Sequence, residues 1–124
     1  MKFMLTASIN EEFKFTGEQR SHMMQQIGKL IEELSSQKKL VAVAGLEGSE
    51  KSTRVTLTRG KVKTIDGPFA ETKEVLGGAW IVEVESKADA VAISTRVWEI
   101  LADTLGPDYE SSGEVHEVRD WVTF

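Results

Sequence analysis

The run "LVAVAGL" at 40–46 constrains this chain more than any other segment. An antiparallel sheet with one face in water alternates apolar and polar residues. Leu40, Val41, Ala42, Val43, Ala44 and Leu46 leave neither face polar, and Ala79, Trp80, Ile81 and Val82 repeat the pattern. Strands of this kind need cover on both sides, and the helices of the chain can supply it on one.

Two segments read as helices. Thr16 with Gln19 three residues on has the form of a capping box, and Met23, Ile27, Leu30, Ile31 and Leu34 recur at helical spacing, which predicts a helix over 17–37. Ser86 with Asp89 is a second cap signal, followed by Ala90, Ile93, Val97, Ile100 and Leu101 up to a Gly106-Pro107 stop. Around them lie strand signals. Residues 2–9 alternate, with Phe3, Leu5, Ala7 and Ile9 on one face and Lys2, Met4, Thr6 and Ser8 on the other. "NEEFKF" is a loop. "TRVTLTR" (53–59) turns at Gly60 into "KVKTI" as a hairpin; "AWIVEVE" (79–85) and "EVHEVRDWVTF" are further strands.

The order strand, helix, strand group, helix, strand predicts an α+β domain of ferredoxin-like, split βαβ type, with two helices on one face of an antiparallel sheet. The other face then packs on a second copy, burying on the order of 800 Å² per partner. The expectation is a homodimer whose sheets face each other, a dimeric α+β barrel, with a cleft between or beside them.

At 124 residues the chain forms one domain, 1–124, that buries roughly two thirds of the surface exposed when unfolded. A net charge of −5 and no dense basic stripe argue against a nucleic-acid partner. With no Cys there is no disulfide or thiol nucleophile, which fits a cytoplasmic location. The N-terminal "MKFMLTASIN" is too short and interrupted for a membrane span. The two His lack metal-ligand spacing, and neither a phosphate-binding glycine loop nor a G-x-S-x-G elbow is present, so no metal and no cofactor is expected.

Candidate site residues gather around "DGPFAETKE" at 66–74. Asp66 can bond the amides of its own turn, with Gly67 supplying unusual φ and Pro68 fixing the exit, or it can serve as a base or orient a His. His22, early in the first helix, is a surface residue or a proton-transfer partner near neutral pH. His116 is structural or lines the same cleft. Glu71, Lys73 and Glu74 are either a solvated loop or, through Lys73 and with Arg119, the contact for an anionic substrate group. Phe69 is a plausible ligand wall, whereas Trp80, Trp98 and Trp121 read as core or dimer contacts. Gly77-Gly78 permits a bulge or a close backbone approach.

The run "DGPFAETKEVLGG", with "MKFML", "VAVAGLEG", "TRVTLTRGKVKTIDGPFAETKE", "GGAWIVEVES" and "EVRDW", resembles the YCII-related family, specifically its DGPF-domain branch. Asp120 stands where that family usually has Pro after Arg119. His22 resembles its helix-1 His. The resemblance implies a ferredoxin-like domain dimerising into an α+β barrel, a mostly uncharacterised function, and in some relatives a His-Asp catalytic pair acting on small carboxylate-bearing or halogenated compounds. Some DGPF members are associated with alternative sigma factors. Three readings follow: an enzyme of lyase, isomerase or dehalogenase type using His22 and Asp66, with Phe69, Glu71, Lys73 and Arg119 binding substrate; a non-catalytic ligand-binding or regulatory module; or a structural dimer secured by the DGPF loop.

Overall fold

The computed structural model describes residues 1–69 and 74–124. The elements run β1 (Lys2–Asn10), α1 (Gly17–Ser36), β2 (Leu40–Gly45), a 3-10 turn (Ser49–Lys51), β3 (Thr53–Thr58), β4 (Lys61–Asp66), β5 (Glu74–Glu83), α2 (Lys87–Leu105) and β6 (Gly113–Glu117). β2, β5, β1 and β6 form, in that order, an antiparallel sheet, while β3 and β4 pair only with each other. This is an α+β architecture consistent with a ferredoxin-like fold, carrying a two-stranded hairpin inserted between β2 and β5.

Both helices start where their side chains can satisfy the orphan backbone N–H groups of a first turn. Gln19 N–H donates to Thr16 Oγ1 and Thr16 N–H to Gln19 Oε1, each at 3.0 Å, a reciprocal capping box. Asp89 N–H donates to Ser86 Oγ at 3.2 Å, and α2 ends at Gly106 with φ 82°. The helices lay Leu30, Leu34, Ala90, Ile93 and Val97 on one sheet face, against Phe3, Leu5, Trp80 and Val82. Arg96 and Glu33 join the two helices in a bidentate ion pair.

The opposite face follows from register, because directly opposed residues share a face. Lys2, Met4 and Thr6 of β1 stand opposite Glu83, Ile81 and Ala79 of β5, and Ile81 and Ala79 in turn oppose Ala42 and Ala44 of β2. Ile81 is buried yet lies outside the helix-side core, whereas Met4, Ala42 and Ala44 are exposed. β1 and β5 thus have one covered face and one open face, whereas β2 is exposed on both, Val43 opposite Trp80 included.

The strands differ from expectation in extent. β5 begins at Glu74 rather than 79, and a bulge at Gly77 keeps its pairing with β1 in step, since Ala7 opposes Gly78 but Ser8 opposes Leu76. β6 ends at Glu117 instead of 124 because its partner runs out: Glu117 opposes Phe3, Val118 N–H donates to the Lys2 carbonyl, and one residue of β1's side remains. The 53–66 hairpin stands apart from the main sheet. Its two-residue turn places Arg59 (φ 52°) and Gly60 (φ 78°) both at positive φ, as a type I′ turn requires. No helix among the described residues is long and apolar enough to cross a membrane.

Leu34 is 1% exposed at the centre of the helix–sheet contact. Leu34→Ala is expected to cost about 2–5 kcal/mol by urea denaturation, and Thr16→Ala about 1 kcal/mol with an unchanged m-value.

Candidate functional site

The 3-10 turn after β2 is fastened to the end of β1 by a carboxylate. Ser49 N–H donates to Glu11 Oε2 at 2.8 Å, and Ser49 Oγ–H donates to Glu11 Oε1. Ser49 is 2% exposed, the one buried polar side chain among the described residues. Its hydroxyl first, then its amide, hold the Glu11 carboxyl below the ordinary carboxylate range. Neither residue stands out in the sequence: an acid after a strand and a serine heading a turn are too common to signal a partnership across 38 positions.

The DGPF segment is built against this turn. Gly67 N–H donates to the Ser52 carbonyl at 2.8 Å, and a Cβ on Gly67 would fall 1.9 Å from the Ser49 carbonyl oxygen, so only glycine fits. Asp66 accepts from Thr53 Oγ1 at 2.8 Å, tying the two ends of the hairpin across its root. The Gly67–Pro68 peptide is cis. Phe69 lies half-buried with the Arg54 guanidinium over its ring, 4.2 Å from the centroid. Asp66, Gly67 and Phe69 thus each make a contact at the root of the hairpin.

Between the hairpin root and the end of the sheet lies a cavity of about 550 Å³, within the size range of small-molecule sites. Leu46, Val75, Leu76 and Phe69 supply apolar wall; Lys51 and Arg54 bring positive charge. The two acids on its lining are already engaged: Glu47 pairs with Lys51 at 3.7 Å, and Ser111 Oγ lies 2.7 Å from Glu74 Oε1. A second hollow, of about 580 Å³, opens on the other side of Leu46 and Glu47, walled by Phe13, Phe15, Arg20 and Met23.

Of the candidate residues, the fold brings Phe69 and Glu74 to the first cavity. Asp66 stays exposed at the hairpin root. His22 is exposed on α1; it and Asp66 share no hydrogen bond, and although Arg20 and Met23 on the same helix reach the second hollow, His22 is not part of its lining. His116 opposes Met4 on the open sheet face, its Nε2 2.9 Å from Glu114 Oε1. Arg119 lies past β6, exposed and bonded to the neighbouring Asp120. Glu71 and Lys73 lie outside the described residues. Trp80 is a core residue, and Trp98 packs against Gly113. No cluster of metal-ligating side chains occurs among the described residues.

Gly67→Ala is expected to unfold the hairpin root, read as a fall in thermal midpoint much larger than that of Pro68→Ala. The Glu11 carboxyl gives a second expectation. A group whose pKa is depressed in the folded state stabilises above its ordinary pKa, and the contribution is lost as pH falls through the folded value. Glu11→Gln should therefore lower the melting temperature at pH 7 while flattening its decline below about pH 4.5, the ordinary glutamate range.

A search of curated proteins returns no match. The family model of the YCII-related domain matches residues 1–105, from β1 through α2 and including the Asp66–Phe69 turn. The chain therefore belongs to the YCII-related family.

Proposed function

We propose that this chain is a ligand-binding member of the DGPF branch of its family, taking a small carboxylate-bearing molecule in the cavity at the hairpin root. The observation that carries the reading is the Arg54 guanidinium lying over Phe69 at the wall of a partly apolar hollow. Arginine is the side chain whose planar fork matches a carboxylate bidentately. Lys51, paired with Glu47, lies at the same wall.

The surroundings of this reading are a homodimer, closed over the open face of Met4, Ala42, Ala44 and Ile81 into an α+β barrel, in a cytoplasmic setting suited to a chain with no Cys. Acid–base chemistry by His22 and Asp66 stands second, since Asp66 is tied to Thr53 and His22 is turned to solvent.

A panel of small mono- and dicarboxylates, read first by thermal shift and then by mass spectrometry, tests this. A carboxylate at one hundred times its Kd should stabilise the fold by about 2.7 kcal/mol, a shift of several degrees. The shift should vanish in Arg54→Gln with the carboxylate's mass unchanged. No shift with any carboxylate overturns the reading; turnover lost in both His22→Gln and Asp66→Asn would install the enzyme in its place.

A further inference from the structure

The hollow walled by Phe13, Phe15, Arg20 and Met23 lies outside the proposed carboxylate site. Leu46 and Glu47 line both cavities, and the Glu11–Ser49 bond joins a residue of one lining to a residue of the other, so the two are neighbours across a thin partition. At about 580 Å³ the hollow is of small-molecule size, and Gly45, Gly48 and Gly77 add no side chains that would fill it. Its apolar part is braced from behind. Phe13 packs edge-on to Tyr109 with ring centres 5.0 Å apart and lies 5.6 Å from Phe15, while the Tyr109 hydroxyl accepts from the Asn10 N–H at 3.4 Å. Ile9 and Met23 extend this surface, the flexible thioether suiting contact with a further ring.

Charge narrows what such a wall would meet. Two segments come together at the hollow: residues 9–24 bring Lys14 and Arg20, and the turn at 45–50 brings Glu47 and Glu50. The remaining polar groups are committed elsewhere. Glu11 gives both oxygens to Ser49, Glu47 pairs with Lys51, and the Asn10 side chain bonds the Glu110 carbonyl and the Glu12 N–H. What is left is Arg20, 5.5 Å from the centre of the Phe15 ring, with Lys14 on its own segment and Glu50 on the other. No ion pair joins the two segments' opposite charges among the described residues.

Opposite charges that line one hollow without meeting are bridged by a molecule that carries both. We propose that this hollow binds a zwitterionic α-amino acid with a large apolar, preferably aromatic, side chain. Its carboxylate lies on Arg20, whose planar fork takes it bidentately, with Lys14 as a nearby point charge. Its ammonium donates to Glu50, and its side chain packs on Phe13, Phe15 and Met23. An acid without the amine leaves Glu50 without a counter-charge, and an amine without the acid does the same to Arg20, so neither makes the full set of contacts.

Chemical shifts of 13C-labelled methionine methyls in the full chain test it, because Met23 and Met24 line the hollow and Met1 and Met4 do not. Titration with L-phenylalanine should move the first pair and leave the second in place. 3-Phenylpropionate, which lacks the ammonium, and phenethylamine, which lacks the carboxylate, should each bind about tenfold or more weaker. Arg20→Gln should weaken L-phenylalanine and 3-phenylpropionate by about that factor and spare phenethylamine, whereas Glu50→Gln should weaken L-phenylalanine and phenethylamine and spare 3-phenylpropionate. Both positions are exposed, and circular dichroism checks that the variants are folded. No movement of Met23 or Met24 at about 10 mM L-phenylalanine overturns the site. 3-Phenylpropionate binding as tightly as L-phenylalanine overturns the amino acid in favour of a simple acid, and L-phenylalanine binding that survives both Arg20→Gln and Glu50→Gln overturns the assignment of its contacts.

Discussion

The antiparallel ladder between β1 and β5 is the constraint on which the rest depends. By pairing Phe3 with Val82 and Leu5 with Trp80, it assembles on one side the apolar rows that α1 and α2 cover. The same pairing necessarily assembles Met4, Ile81 and Ala79 on the other side, because successive side chains alternate. A core of this kind cannot be built without also making its reverse. A one-residue slip would exchange the two faces and expose Phe3 and Val82, so the open apolar face is the geometric consequence of a well-covered one. The bulge at Gly77 lets the ladder continue past Ala7 and carry β5 out to the cavity.

At the far end of that ladder the chain uses hydrogen bonds where it has few apolar contacts. Glu11 holds the Ser49 turn, the Ser49 carbonyl closes on Gly67, and Asp66 ties the hairpin ends through Thr53. The result is a rigid root for a ribbon that makes no ladder with the domain. The cavity exists because this root stands off from the end of the sheet, so the DGPF turn shapes the hollow by placement of backbone, with Phe69 and Arg54 as its direct contribution to the wall. The turn's most chemically suggestive feature, the Asp66 carboxylate, is committed to holding the hairpin ends together.

Legibility followed the range of the interactions. The Thr16 capping box, the Ser86 cap, the Gly106 stop and the turn at Gly60 could all be read from the chain, because each is decided by residues within three or four positions. The start of β5 and the end of β6 could not, since a strand extends as far as its neighbour does and the neighbours lie far off in sequence. Phe69, singled out for lying inside a turn of unusual composition, lines the cavity. Arg54 was not, for nothing local marks one basic residue of an alternating strand as the one that lies over Phe69. Arg119 shows the converse: a family-like motif drew attention to a side chain that the fold leaves in solvent beside Asp120.

By itself the sequence determined the classes and order of the elements, the caps that bound its helices, and the excess of apolar strand surface over available helix. Those are properties of periodicity and short-range hydrogen bonding, which every local window carries. Tertiary structure alone decided that β3 and β4 leave the main sheet, that Glu11 finds Ser49, and that a cavity opens under Arg54 instead of between His22 and Asp66. These depend on which distant backbones approach within a few ångströms, and at that range a carbonyl oxygen such as that of Ser49 can dictate a glycine roughly 60 Å of extended chain away.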